Sequence, residues 1–253
     1  MNKKIRQRVL ATGLTMCMVF SMLPLIGHAT NSVEITPANF PDANFRERIA
    51  QYDTLPAATE EGGTNGDGVL SEEELAAVTY MDLTGLGRND ANLDLTGIEY
   101  FTSLETLKLQ NNPSLKFLDL SKNTALTELY VQNTRLTSLD VSKNTNLTEL
   151  HCFGNSYLAS LDMSNTPALK GATIRTNKLS EIDVAGHANL TYLECSDNPL
   201  VSLKNLSDCS SLGTLYATGT DLTSLDVSSL SHLAKLYVGG SKLETLTIGT
   251  LPV

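Results

Sequence analysis

"LTELYVQNTRLTSLDVSKNTNLTEL", residues 126–150, begins and ends with the same four letters. In its first six residues Leu129 and Val131 flank Tyr130, an apolar alternation with the period of a strand that buries one face. A lone strand of this kind cannot bury its apolar side. Repetition solves the problem: coils stacked at the strand spacing of ~4.8 Å form a parallel sheet over a continuous core. Each inward Leu or Val then contributes roughly 1.5–3 kcal/mol on burial.

The same phrase recurs outward in both directions. Coils start at Leu104, Leu126, Leu147, Leu169, Leu190, Leu212 and Leu233, with an apolar residue five positions on at Leu109, Val131, Cys152, Ile174, Cys195, Ala217 and Val238. Three further on stand Asn112, Thr134, Asn155, Asn177, Asn198, Thr220 and Ser241. This is the leucine-rich-repeat pattern L-x-x-L-x-L-x-x-N. The expected fold is a right-handed, curved solenoid of α/β type with a parallel sheet and a small helical N-terminal cap. The asparagine column falls where the chain turns inward, and its amide can satisfy turn groups that are costly to bury unpaired. Thr134, Thr220 and Ser241 can replace only part of that bonding.

The second half of each coil, as in "LTSLDVSKN", again sets two apolar residues around one outward one, so a short strand or extended run is expected at the back. Its outward column is Asp119, Asp140, Asp162, Asp183, Lys204 and Asp226. Two readings stand, a solvated face and a cation ladder, and the neighbouring Ser and Lys favour the first. Cys152 and Cys195 lie in the inward column two coils apart, near ~10 Å and beyond disulfide reach. Cys209 joins Asn123, Asn144, Thr166 and His187 in a back-turn column. All three read as buried structural thiols.

The phrase "LTxLDVSKNTxLTxLxC" resembles the 21-residue, cysteine-ladder repeats of internalin-type bacterial surface proteins and of secreted leucine-rich-repeat proteins of Firmicutes. The resemblance spans residues 78–253 and departs in filling only Cys152 and Cys195 of the seven ladder positions. It implies adhesion or contact with a host or matrix protein.

Ahead of the repeats, residues 40–53 read as a helix with Asp42 as cap and Phe45, Ile49 and Tyr52 on one face. "SEEELAAV" reads as a second helix with a Ser71/Glu74 capping box. Between them "TNGDGVLSEEE" matches an EF-hand loop with Asn65, Asp67, the Val69 carbonyl, Ser71 and Glu74 as calcium ligands. Position 1 is Gly63 where a carboxylate belongs, and Asp53 can repair it across a looped-out "TLPAATEEGG". The competing reading is a glycine-rich turn followed by a helix cap. In either case residues 30–77 form a lid on the first coil, followed by an irregular lead-in coil at 78–103 and seven regular coils at 104–253. Here "MDL" and "LDL" read as strands.

Residues 1–29 carry Lys3, Lys4, Arg6 and Arg8 before an apolar run, then Gly27 and Ala29. This is a secretory signal with Thr30 as the expected mature start; a retained anchor is the rival reading. Its removal takes the formal net charge from −10 to −14. Residues 30–103 hold 14 acidic and 3 basic side chains, a balance opposed to nucleic acid and to insertion of the mature chain at anionic membranes.

The sheet face is the expected partner surface. Its outward residues include Tyr130, His151, Phe153, Arg175, Tyr192, Tyr216 and Tyr237, suited to a protein ligand, with a glycan as second choice because the chain has no Trp. No catalytic constellation is expected, since His151 and Cys152 point to opposite faces. The final "LETLTIGTLPV" offers no polar lid, so self-association into a homodimer through Leu246, Ile248 and Leu251 is a further expectation, as is truncation there.

Overall fold

The structure, a computed structural model, describes residues 32–53, 66, 68–88 and 92–249. Asn65, Asp67 and Leu251 therefore lie outside the described residues, as does the proposed leader. At the N-terminal end, β1 (Val33–Glu34) pairs antiparallel with β2 (Val69–Leu70). Between them in sequence lies α1 (Ala43–Ile49), whose first turn is closed by Phe45 N–H donating to Asp42 Oδ1 at 2.9 Å. After β2 comes α2 (Glu72–Ala77), which carries both halves of the capping box. Glu74 N–H donates to Ser71 Oγ, and Ser71 N–H donates to Glu74 Oε2 at 2.8 Å. Both helices are shorter than their sequence patterns, and Tyr52 lies beyond the end of α1.

These elements lid the solenoid through aromatic packing. Phe40 meets Phe45 and Tyr100 edge-on at centroid distances of 6.0 and 5.8 Å, and Tyr52 reaches Phe101 at 6.1 Å. Tyr100 and Phe101 belong to the lead-in coil, so the cap and the first coil share one buried layer. Gly97 makes the approach possible. Its φ is +105°, and a Cβ there would collide with the Phe40 ring.

The front sheet is parallel and follows chain order. Its strands are β3 (Tyr80–Asp82), β4 (Thr106–Lys108), β5 (Glu128–Tyr130), β7 (Glu149–His151), β9 (Gly171–Thr173), β11 (Tyr192–Glu194), β13 (Thr214–Tyr216) and β15 (Lys235–Tyr237). The register places Met81, Leu107, Leu129, Leu150, Ala172, Leu193, Leu215 and Leu236 side by side on the inner face. "LDL" at 93–95 gives only an isolated bridge, Leu93 to Leu115. At the back lie β6 (Ser138–Asp140), β8 (Ser160–Asp162), β10 (Glu181–Asp183), β12 (Ser202–Lys204), β14 (Ser224–Asp226) and β16 (Thr245–Thr247). They pair only two by two, β6 with β8, β10 with β12 and β14 with β16. Among the described residues helices are confined to the cap, apart from short 3-10 turns at Ile98–Tyr100 and Leu206–Asp208.

Two polar ladders run through the core. Asn177 shows the front one complete: Nδ2 donates to Ile174 O and, in the preceding coil, to Cys152 O, both at 2.8 Å, while Oδ1 accepts from Asn155 N–H at 2.9 Å. Asn112 and Asn198 make the same triangle. Thr220 gives only its hydroxyl, to Ala217 O at 2.9 Å, and Ser241 only its own, to Val238 O. The residue just before each ladder position is left-handed: Gly85, Asn111, Asn133, Gly154, Thr176, Asp197, Gly219 and Gly240 all have φ between 56° and 72°. The back-turn ladder is Asn123, Asn144, Thr166, His187 and Cys209, all buried.

The outward back column has a local task. Asp119, Asp140, Asp162, Asp183 and Asp226 each accept the N–H two residues on at 2.8–2.9 Å, an Asx turn that ends the back run. This favours the solvated-face reading of that column.

Candidate binding face

Because strand side chains alternate, every front strand presents its first and third residues outward. The third residues line up as Asp82, Lys108, Tyr130, His151, Thr173, Glu194, Tyr216 and Tyr237. Tyr130 stacks on His151 at 4.7 Å and 6°, and Tyr216 on Tyr237 at 4.4 Å and 1°. Such stacking follows from the register: parallel strands put like rotamers one strand spacing apart. The other flank of Tyr130 holds Lys108 Nζ, 5.5 Å from the ring centroid, and that of Tyr216 holds Tyr192 at 5.9 Å. Tyr130 and Tyr216 thus have a neighbour on each side, whereas Tyr237, on the terminal front strand, is 46% exposed.

Two aromatic groups result, separated by β9, whose Gly171 and Thr173 are small. On the near side Phe153 adjoins the Tyr130–His151 pair and carries the Arg175 guanidinium 4.7 Å from its centroid. Arg175 Nε also lies 3.6 Å from Glu194 Oε1. On the far side Tyr192 OH donates to Glu194 Oε2 at 3.1 Å. Burial, followed by the Glu194 charge, pushes the Tyr192 phenol up to about 12. Burial holds the His151 ring below its ordinary value, against the opposing pull of Glu149 and Glu128. Sequence columns alone assembled this residue set; the closed stacks and the Lys108 and Arg175 contacts depend on rotamers that no periodicity encodes. The Arg135–Tyr157 contact at 5.0 Å, on the turn beside the face, was also not expected.

The cap site is partly described. Asp53 Oδ2 accepts from Gly68 N–H at 2.9 Å, and Asp53 O accepts from Gly66 N–H at 3.0 Å. Asp53 and Glu74 are only 5% and 8% exposed, and neither forms a salt bridge among the described residues. Val69 pairs with Glu34 in the β1–β2 ladder. No cluster of three or more His, Cys, Asp or Glu side chains with metal-binding geometry occurs among the described residues.

The thiols are poor nucleophiles. Burial pushes Cys152, Cys195 and Cys209 up to about 12, and Cys152 lies on the opposite face of its strand from His151. Among the described residues no helix is long and apolar enough to cross a membrane.

No protein-family model matches the chain, and no curated relative does. Solved structures do. Internalin C2 from Listeria monocytogenes aligns at a TM-score of 0.57 and 21% identity, covering 87% of this chain and 97% of that one. A leucine-rich-repeat protein of Leptospira interrogans aligns at 0.54 and 21% identity, over 69% of this chain and 52% of that one. The leucine-rich effector YopM from Yersinia pestis aligns at 0.52 and 22% identity, with the same coverage. Together with the coil register and the asparagine ladder, these alignments establish that the chain adopts the leucine-rich-repeat fold.

Proposed function

We propose that this protein is a secreted or cell-surface binding module that engages a protein ligand through the front sheet, without catalysis. The observation that carries the reading is the pair of half-exposed aromatic stacks, Tyr130–His151 and Tyr216–Tyr237, on an otherwise polar sheet. Sugar platforms need an open ring face, and here Tyr130 and Tyr216 have a neighbour on each side, although Tyr237 on the terminal strand is 46% exposed. A protein partner meeting edges and hydroxyls is the better fit, with a glycan second. Secretion rests on the leader pattern of residues 1–29. The test is a pull-down from cell and matrix extracts with residues 30–253 beside a Tyr130/Phe153/Tyr216→Ala variant. Capture by the native face and loss in the folded variant supports the reading; equal capture by both overturns it.

The cap is proposed to hold calcium, with Asp53, Asn65, Asp67, the Val69 carbonyl, Ser71 and Glu74 as its ligands. The bond from Gly68 N–H to Asp53 supports this, because it brings the repairing carboxylate onto the loop where position 1 is missing. Two buried carboxyl groups without a cationic partner among the described residues are costly, and a calcium ion would offset that cost. Calcium would stabilise the lid. A melting temperature unmoved by calcium or chelator, in the native protein and in Asp53→Asn alike, would sink the idea.

A second reading is self-association through the last coil, where Leu246 and Ile248 are 38% and 55% exposed. Light scattering on the native chain and an Ile248→Asp variant tests it. A monomer in both cases rejects it.

A further inference from the structure

The first outward column reads Thr106, Glu128, Glu149, Gly171, Tyr192, Thr214 and Lys235. Glu128 and Glu149 are register partners on β5 and β7, like charges side by side, an arrangement that opposes sheet pairing. Neither forms a salt bridge among the described residues. Among those residues the Glu128 carboxylate accepts only the Tyr130 hydroxyl, at 3.0 Å. Beyond Glu149 the column drops to Gly171, and the Glu149 carboxylate lies over that glycine, in the space a side chain there would take.

The opposite margin of the same coils is basic. Arg175 lies over Phe153 with its side chain 41% exposed, and Arg135 lies over Tyr157. Exposed Lys178 follows in the next turn. Between the two margins runs the apolar seam of Tyr130, His151 and Phe153. Glu149 and Phe153 are four residues apart, which in extended backbone is about 13 Å. Coils two to four thus carry charge of opposite sign on the two margins of one aromatic strip.

We propose that this strip is a polarised docking patch for an extended polypeptide segment, taking a basic side chain at Glu128 and Glu149, an apolar one over the seam, and an acidic one at Arg175. The occupant follows from charge complementarity: a basic and an acidic residue four apart in an extended segment span the same ~13 Å. The proposal rests on the sheet face being the binding surface, and it names the chemistry recognised there.

Selection of a random displayed 12-residue peptide library on the immobilised protein tests it, with Tyr130/Phe153→Ala as counter-selection. Enriched peptides should carry a basic and an acidic residue about four apart around an apolar one. For such a peptide, Glu149→Gln should weaken binding roughly 2–5-fold, the range of a solvent-exposed ion pair. Replacing the peptide's basic residue by Gln should then cost nothing more. Arg175→Gln should do the same with the peptide's acidic residue, and circular dichroism should show each variant folded. Face-dependent peptides indifferent to both charge variants overturn the polarity while leaving the binding reading intact. If no peptide depends on Tyr130 and Phe153, both fall.

Discussion

The front and back polar ladders occupy equivalent places on opposite sides of the core, yet the front has asparagine at four of its seven positions, with Thr or Ser at the rest, and the back runs Asn, Asn, Thr, His, Cys. The difference lies in what each turn leaves unpaired. The front turn exposes carbonyls and a backbone N–H of the preceding coil, so it needs a donor and an acceptor on one small planar group, and asparagine supplies both. The back turn needs donors. Asn123 and Asn144 use Nδ2 alone, Thr166 donates to Met163 O at 2.7 Å, and the Cys209 thiol points at Val184 O. Because the Thr166 hydroxyl is spent on Met163 O, the 2.8 Å contact with His187 Nε2 requires the imidazole to donate. The buried acceptors left over, Asn123 Oδ1, Asn144 Oδ1 and His187 Nδ1, have no partner among the described residues.

Four measurements break or sharpen that contrast. The largest effect should come from Asn177→Ala, which strands the Asn155 N–H in the core and leaves the Cys152 and Ile174 carbonyls with one donor each, from Asn155 and Asn198. We expect about 2 kcal/mol lost in urea unfolding, since an unsatisfied buried group costs roughly 1–3. Next, Asn144→Thr should cost about 1 kcal/mol or less, whereas Asn177→Thr should recover little of the alanine loss. Equal costs at the two sites would erase the distinction between donor-only and donor–acceptor turns. Third, nitrogen NMR should show His187 as the Nε2–H tautomer, and His187→Asn should leave stability within about 1 kcal/mol of native. A proton on Nδ1 would contradict the bonding assigned to Thr166.

The smallest effect belongs to the exposed Asp column. The Ser121 backbone N–H lowers Asp119, the Asn205 amide lowers Asp183, and the Ser228 hydroxyl lowers Asp226 below the usual carboxylate range. A depressed folded-state value means that the stabilisation is complete above the ordinary carboxylate value and is lost as pH falls through it. These groups are solvated, so screening keeps the effect small. Replacing all three by Asn should flatten the acid limb of the stability–pH curve slightly, and an unchanged limb would mean that the column is electrostatically idle.

Most of this architecture was legible in residue spacing. The L-x-x-L starts fixed the coil count, the inner columns and the buried thiols, because burial follows the two-residue period directly. The capping box was readable because its chemistry is local. What escaped was conformational or relational. The left-handed column is occupied by Gly, Asn, Asp and once by Thr176; that enrichment just ahead of the ladder was a usable signal for positive φ. The aspartates read as a charge column because their Asx bonds are invisible without ψ. At the candidate face the sequence put the aromatics in shared columns, but whether rings open to solvent or close on one another depends on χ angles, and the two choices suit different ligands.

The front ladder also has a direction. Asn112 reaches back to Leu83 and Gly87, Asn155 to Thr134, Asn177 to Cys152 and Asn155, and Asn198 to Ile174 and Leu179. Each amide thus completes the coil made before its own, never the one made after. A chain delivered amino end first, from a ribosome or through a translocation channel, would have each turn that precedes an asparagine coil sealed by the next to arrive. Folding can then keep pace with emergence, with no more than one coil waiting at a time.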